Sequence, residues 1–332
     1  MVDRYQAAHG CQRSVRLGLV LPQGSTGELG GHRPDELLTV VERFARSADK
    51  AGFDSLWVSD HFLPTRPLDR GGLLDSWTLL SVVSQLTSRV RLGQLVLCSA
   101  FRNPALVAKM AATLDILSGG RMILGLGAGW HRKEFEAYGY PFLAAPERLA
   151  QLRETVKVVR LLWAGEGIVH EGRHFRITDA PFEPVPLQGQ PPILIGGMGK
   201  VILKLASEVA DMTNFFGTPE AFREASGLLD RRCEHVGRDP ASIERTWMTI
   251  GLHVGESEAE VRRTLEGWRE AGDVRYVRCQ ISGTPEQVVS QLAPYVQAGC
   301  GTLILTLSTS PATDGIDLLA EAVAPALQSV CI

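Results

Sequence analysis

The chain has 332 residues, of which 45% are hydrophobic and 21% charged, and its formal net charge is −3 at pH 7. This composition predicts a globular chain with a sizeable core, and the absence of a basic excess argues against nucleic acid or a membrane surface as a partner. No apolar run reaches the length of about 18 residues that a membrane span needs, and residues 1–14 form a polar tail without a signal-peptide core, which predicts a cytoplasmic protein.

Short apolar runs alternate with amphipathic segments in the first half of the chain, a pattern that predicts parallel strands covered by helices. Three strands are predicted at Leu17–Pro22, Ser55–Ser59 and Val90–Leu97, and a fourth begins at Met122 and breaks into glycines. The helices between them begin near Pro34, Ser76 and Pro104. Proline and polar caps at helix starts, and glycine at helix ends, support these assignments.

The alternation continues in the second half after an interruption. An Arg-rich helix at about Glu147–Trp163 precedes Ile168–Ala180, whose alternating pattern around Gly172 indicates a small hairpin. Four further strands are predicted at Pro192–Ile195, Asp211–Phe215, Trp247–Val254 and Thr302–Thr306. Eight such units favour a (β/α)₈ TIM barrel over an open doubly wound sheet. We therefore expect one domain over residues 15–330, with an insertion around residues 164–190.

Polar and glycine residues collect where the predicted strands end. They are Asp60 and His61, Cys98 and Ser99, Gly127, Ala128, Gly129 and Trp130, Gly196 and Gly197, Asn214 with Phe215 and Phe216, and His253 toward the end of strand seven. Barrel enzymes build their sites at the carboxyl ends of the strands, so these residues define the predicted site. The six cysteines form no CxxC pair and have no closely spaced histidine, so no metal site and no disulfide framework is predicted.

His61 is the predicted catalytic residue, because an imidazole can donate or accept a proton near neutral pH. Asp60 beside it could tune the imidazole if the fold brings the two together, although neighbours on a strand face opposite ways. A structural histidine is the alternative. Cys98 is either a buried structural thiol or part of the site wall.

The glycines Gly196, Gly197 and Gly199, with Met198 between them, come just before a helix predicted to begin near Lys200. Backbone N–H groups at a helix start can bind a phosphate. The alternative is that these glycines only form a tight turn between strand and helix.

Four motifs together resemble the luciferase-like monooxygenase superfamily, in particular its deazaflavin F420-dependent oxidoreductase branch. They are Asp54–Phe62, Arg102–Lys109, Leu117–Arg121 running into Gly125–Trp130, and Ile195–Gly199. The resemblance implies a barrel with an insertion and a flavin or deazaflavin ring at its mouth. It implies cofactor contacts from Asp60, Leu95, Val96, Cys98, Gly127–Gly129 and Gly196–Gly199, and a non-proline cis peptide bond at Leu95–Val96.

Trp130 departs from one part of this family. The sugar-phosphate dehydrogenases of the F420 branch hold a catalytic glutamate at that position and a tryptophan at the position of Thr65, which argues against such an activity here. The predicted substrate pocket consists of Trp130, His131, Tyr138 and Phe215. Glu134 is either a further pocket residue or part of an exposed helix surface.

The predicted function is that of an F420-dependent oxidoreductase, in which hydride passes between the deazaflavin and a small organic substrate, in the direction of reduction. One alternative is an FMN-dependent monooxygenase on the same barrel, and another is a flavin-binding barrel without turnover. By resemblance we expect a homodimer. Loop composition does not specify the substrate.

Overall fold

Thirteen strand segments form the framework of the computed structural model, which describes residues 14–25, 27–29, 31–64, 72–165 and 168–330. The segments are β1 (Arg16–Val20), β2 (Ser55–Val58), β3 (Arg91–Gln94), β4 (Leu97–Cys98), β5 (Met122–Gly127), β6 (Ile168–Glu171), β7 (Arg176–Ala180), β8 (Ile193–Gly196), β9 (Met212–Phe215), β10 (Glu244–Met248), β11 (Leu252–Val254), β12 (Ile281–Gly283) and β13 (Thr302–Leu305). Residues 1–13 of the predicted tail, and Thr65, lie outside the described residues.

Helices connect these segments. They are α1 (Leu37–Ala51), α2 (Ser76–Leu86), α3 (Pro104–Ser118), α4 (Arg132–Ala137), α5 (Ala145–Trp163), α6 (Lys200–Val209), α7 (Pro219–His235), α8 (Glu258–Glu270), α9 (Val274–Arg278), α10 (Pro285–Gln297), α11 (Asp314–Leu318) and α12 (Ala324–Gln328). A 3₁₀ turn at Pro240–Ser242 precedes β10, and a π-helical turn at Leu319–Val323 joins the last two helices. Local chemistry sets several helix starts. The side chain of Asn103, for example, accepts the N–H of Ala105 before α3, whose first residue is Pro104.

The parallel strands close into a barrel. Their order around the sheet is β3-β2-β1-β13-β10-β9-β8-β5-β4, and β3 also pairs with β5, which completes the ring. Since β3 and β4 are two halves of one strand position, the barrel has eight positions. The predicted (β/α)₈ fold is confirmed.

Side chains on the two faces of the barrel build two layers of core. The outer layer packs the sheet against the helices, and the inner cluster contains Trp57, Ile123, Leu194, Met212 and Ile304. The Trp57 indole fills the interior because its neighbours on adjacent strands are glycines. A Cβ on Gly18 or Gly93 would lie within 2.8 Å of the Trp57 ring.

The predicted seventh strand is wrong in its second half. The barrel strand ends at Met248, and β11, which carries His253, pairs instead with β12 in a separate two-stranded parallel sheet. Gly251 permits the break, because a Cβ there would lie 2.5 Å from the carbonyl oxygen of Arg278. His253 is therefore packed against Trp268 and does not line the barrel mouth.

The segment between α5 and β8 contains an antiparallel pair, β6 and β7, in the region predicted as a hairpin. Among the described residues, no helix is long and apolar enough to cross a membrane.

Candidate active site at the barrel mouth

The third strand position is interrupted between β3 and β4. The Leu95–Val96 peptide bond is cis, as the resemblance implied, so that prediction is confirmed. Leu95 and Val96 pack against the inner core cluster beneath the barrel mouth. The interruption places two apolar side chains under the mouth of the barrel.

The glycines of β5 and the loop that follows it are fitted to this interruption. A Cβ on Gly125 would overlap the carbonyl oxygen of Gln94, one on Gly127 would lie 2.5 Å from Val96 Cγ2, and one on Gly129 would lie 2.7 Å from the sulfur of Cys98. The three glycines, spaced two residues apart, thus face three residues of the neighbouring strand position with the same spacing. Close packing between strands is a reason for these glycines that the sequence alone did not reveal.

Two adjacent cavities lie at the mouth and share His61, Leu95 and Trp130. The larger has a volume of about 380 Å³, which is within the range of small-molecule sites. Its lining is mainly apolar and comprises Val20, Leu21, Ser25, Glu28, Trp57, Val58, Ser59, His61, Leu95, Trp130, Met248, Ile250, Arg278, Thr306 and Ser310. The smaller measures about 110 Å³ and is bounded by β4, the Gly127–Gly129 turn and α4.

His61 is held by the buried Glu134, a pairing that the sequence did not reveal. Nδ1 of His61 lies 2.8 Å from Glu134 Oε2, while Glu134 Oε1 accepts the backbone N–H groups of Phe62 (2.7 Å) and Leu63 (2.9 Å). Burial raises the pKa of Glu134, but the hydrogen bonds from His61, Leu63 and Phe62 outweigh it and lower the pKa below its ordinary value. The ionised carboxylate requires a hydrogen on Nδ1, so Nε2 is the nitrogen of His61 left for other partners.

Of the two interpretations of Glu134, the exposed helix surface is wrong, since only 1% of its side chain is exposed, and the residue lines the smaller cavity. It reaches His61 from α4, 73 positions further along the chain. A helix of six residues has too little periodicity to reveal which face it buries. No spacing in the sequence pairs the two residues.

Asp60 does not contact His61. Its carboxylate accepts hydrogen bonds from the hydroxyl of Ser76 (2.9 Å), the backbone N–H of Cys98 (3.0 Å) and the guanidinium of Arg102 (2.8 Å). The suggestion that Asp60 tunes the imidazole is therefore corrected: the two side chains point apart. Asp60 instead fixes β4 against the start of α2.

Cys98 lies between the smaller cavity and Gly129. Burial, with smaller contributions from the charges of Asp60 and Glu134, raises the pKa of its thiol to about 12. The thiol stays protonated at neutral pH, which suits a wall residue and not a nucleophile.

Trp130 and His131 stand beside His61. The rings of Trp130 and His131 are stacked with centroids 5.0 Å apart, and Trp130 meets the His61 ring edge-on at 5.8 Å. Trp130 as a residue is 63% exposed, and it lines both cavities. Tyr138 is further out, where its ring stacks on Phe62 at 4.7 Å, and it lines neither cavity.

Phe215 is not a pocket residue. It is fully buried in the outer core layer, with its ring 5.4 Å from that of Phe222 on α7. Strand alternation turns its side chain away from the barrel interior, whereas the preceding Asn214 bonds to Thr246. Ala128 and Met198 also pack against the outer layer, and neither lines the cavities.

Gly196–Gly199 form the turn into α6. Gly196 faces Val96, Gly197 has a φ of 127° and donates its N–H to Asn214, and Gly199 precedes the first turn of α6 without a side-chain cap. The first N–H groups of this ten-residue helix have no helical partner.

Three residues offer ligand atoms that lie within 4.8 Å of one another: His61, His131 and Glu134. The 2.8 Å separation between His61 Nδ1 and Glu134 Oε2 is that of a hydrogen bond. Two ligands of a tetrahedral zinc ion stand about 3.3 Å apart. A proton therefore fits between these atoms better than a metal ion does.

A parallel barrel with an apolar cavity and a carboxylate-held histidine at the ends of its strands is the arrangement of a barrel enzyme that acts on a small organic molecule. Residues 15–302 match the family described as "Luciferase-like monooxygenase". The chain belongs to this family.

Two relatives are similar to the chain in sequence, and a solved structure is similar to it in fold. An "F420-dependent glucose-6-phosphate dehydrogenase" of Kineococcus radiotolerans is 33% identical over 79% of this chain and 85% of its own length. A protein of the same description from Amycolatopsis mediterranei is 31% identical over 79% of this chain and 86% of its own length. The structure described as "F420-dependent secondary alcohol dehydrogenase in complex with an F420-acetone adduct" has a TM-score of 0.80 at 22% identity, covering 95% of this chain and 99% of that one.

Proposed function

We propose that the chain is an F420-dependent oxidoreductase that reduces a small organic substrate, with His61 as the proton donor. The observation that carries this proposal is the position of His61: Glu134 holds Nδ1, and the imidazole lines an apolar cavity at the barrel mouth. Relatives described as F420-dependent enzymes support the choice of cofactor.

The residues present fit a deazaflavin. The apolar floor at Leu95, Val96 and Trp57 suits a flat ring, and the uncapped N–H groups at the start of α6 suit a phosphate. When bound in its reduced form, this cofactor supplies a hydride. The chain would supply the apolar floor, the wall at Cys98, Gly127 and Gly129, and the proton on His61.

Trp130 supports reduction over sugar-phosphate oxidation. The dehydrogenases of the F420 branch are expected to hold a glutamate there, and an indole cannot accept a proton from a substrate hydroxyl. Glu134 does not replace that base, because its two oxygens already receive three hydrogen bonds. We therefore expect no oxidation of glucose 6-phosphate.

The test is a titration of the purified protein with F420 and with FMN, each followed by absorbance and fluorescence. We expect saturable binding of F420 and then substrate-dependent reoxidation of the reduced cofactor across a panel of unsaturated compounds. His61→Asn should bind F420 as the wild type does and lose most of the turnover.

Binding of FMN alone, with oxygen consumption, would replace the proposal with the monooxygenase alternative. Binding without turnover of any reduced cofactor would favour the silent barrel. Oxidation of glucose 6-phosphate would overturn the direction proposed from Trp130.

We also propose a homodimer, formed through an exposed apolar face on α2 and α3. Leu106 and Leu117 of α3 are 51% and 50% exposed, Met110 lies between them on the same side, and Val82 of the neighbouring α2 is 38% exposed. A row of apolar side chains facing water is typical of an interface. Sedimentation of Leu106→Glu/Leu117→Glu should show monomer, whereas Leu187→Glu, at another exposed leucine, should sediment as the wild type. A wild-type monomer would contradict the proposal.

A further inference from the structure

One oxygen of Glu134 is close to two imidazoles. Nδ1 of His61 lies 2.8 Å from Oε2, and Nδ1 of His131 lies 3.5 Å from the same atom. Nδ1 of His131 is buried and has no hydrogen-bond partner of ordinary geometry among the described residues. The side chains of His61 and His131 are only 17% and 15% exposed, so water screens neither fully.

One carboxylate can neutralise the charge of only one protonated imidazole. With one imidazole protonated, the cluster is neutral; with both protonated, its charge is +1; with neither protonated, it is −1. The ionised carboxylate therefore favours protonation of one imidazole. Protonation of the second imidazole is opposed by the positive charge on the first. The rings are 6.1 Å apart between centroids, close enough for each to respond to the charge of the other.

We propose that His131 is a positioning residue that shares Glu134 with His61, so that the two imidazoles take up and release protons as one coupled unit. The catalytic meaning of this unit rests on the proposed function. In the reductive direction the N–H bond at Nε2 of His61 would break, the electron pair would stay on nitrogen, and the proton would go to the substrate, to which the proposed cofactor would supply the hydride. The cluster then carries −1, and uptake of one proton from solvent by either imidazole restores neutrality.

Other ionisable groups near the cluster have partners of their own. Asp60 is paired with Arg102, and Arg148 donates to the carbonyl of Gly129. The thiol of Cys98, whose pKa burial raises to about 12, remains neutral. The cluster also includes no lysine or arginine hydrogen-bonded to Glu134 within the described part of the chain. Glu28 and Arg278, which line the larger cavity with His61, also have partners. The two imidazoles are the groups that approach this carboxylate within 3.5 Å in the ion pairs of the described residues.

The experiment is NMR of the cofactor-free protein with labelled histidines, titrated between pH 5 and 9 as an order-of-magnitude window around the imidazole range. We expect the His61 resonances to follow two protonation steps in the wild type. In His131→Phe, which keeps a ring beside Trp130 but has no nitrogen, His61 should lose one step. His131→Gln is a second variant without a titrating group and should give the same loss.

Unchanged titration of His61 in both variants would overturn the proposal. His170, which pairs with Glu154 elsewhere in the fold, is an internal reference whose resonance should not change in either variant. The pH profile of kcat/KM should lose one ionisation in the same two variants. Since the NMR titration needs no cofactor, failure of the coupling and failure of the F420 assignment are distinguishable.

Discussion

The molecule uses the same carboxylate arrangement twice. Glu134 receives a ring nitrogen of His61 and the N–H groups of two consecutive residues, Phe62 and Leu63. The carboxylate of Glu154 on α5 lies 3.1 Å from Nε2 of His170. It accepts hydrogen bonds from the backbone N–H groups of His174 (3.0 Å) and Phe175 (2.8 Å). In both cases burial raises the pKa of the glutamate, and the hydrogen bonds outweigh it and lower the pKa below its ordinary value.

The two clusters differ in what surrounds the histidine. His61 lines both cavities at the barrel mouth, whereas His170 is on β6, with 5% of its side chain exposed, and holds the β6–β7 pair to α5. Similar contacts therefore hold the proposed proton donor in one place and fasten a hairpin in the other. A histidine–glutamate pair becomes a candidate catalytic site only where one ring nitrogen faces a cavity.

The largest expected effect is a loss of activity on substitution of Glu134, which the corresponding substitution of Glu154 should not cause. Glu134→Gln removes the charge that keeps the hydrogen on Nδ1 of His61, so we expect kcat/KM to fall about 100-fold while F420 still binds. Steady-state kinetics measures the loss, and the pH profile of kcat/KM should change shape because the charge beside His61 is gone. The same loss in Glu154→Gln would mean that the two clusters do not differ as proposed.

Glu154→Gln should act on stability. Its amide presents an N–H₂ group where the half-buried carboxylate accepted hydrogen bonds, so we expect a loss of about 1–3 kcal/mol in the free energy of unfolding. Chemical denaturation measures this value. Steady-state activity at 25 °C should remain within about twofold of the wild type; a 100-fold loss would contradict the structural role.

Gly172→Ala tests the contact between Glu154 and His170 by adding a methyl group beside it. A Cβ there would overlap Oε1 of Glu154 and lie 2.5 Å from Nε2 of His170, which would push the pair apart. We expect a loss of about 1–2 kcal/mol, since the far ends of side chains can shift. Gly267→Ala in α8 is the matched control. It meets open space and should be neutral or stabilising by up to about 1 kcal/mol.

The smallest effect concerns acid stability. Because the folded-state pKa of Glu154 is lowered from 4.5, its contribution to stability is present above that pH and is lost as the pH falls through the folded-state value. Glu154→Gln should therefore show a shallower loss of stability than the wild type between pH 4.5 and lower pH, measured by denaturation at several pH values. Equal slopes would show that this carboxylate is not a source of acid sensitivity.

Much of the framework was predictable from local pattern. Alternating apolar runs and helix caps predicted the barrel, and strand ends such as His61 and Gly127–Gly129 predicted where the cavity would lie. The limits appear at particular residues. The run of residues 247–254 predicts one strand, although Gly251 within it marks the break. Strand alternation turned Phe215 into the outer core although Asn214, the residue before it in β9, bonds to Thr246.

By itself the sequence determined the elements, the barrel, the edge at which the site lies and the family resemblance, because these follow from periodicity and from short motifs of neighbouring residues. The tertiary structure alone decided which carboxylate is hydrogen-bonded to His61. Asp60 is adjacent in the chain but faces Arg102, whereas Glu134 arrives from α4 and closes the contact. The fit of Gly125, Gly127 and Gly129 to the interrupted third strand was decided in the same way, since contacts between strands depend on register, which no single strand records.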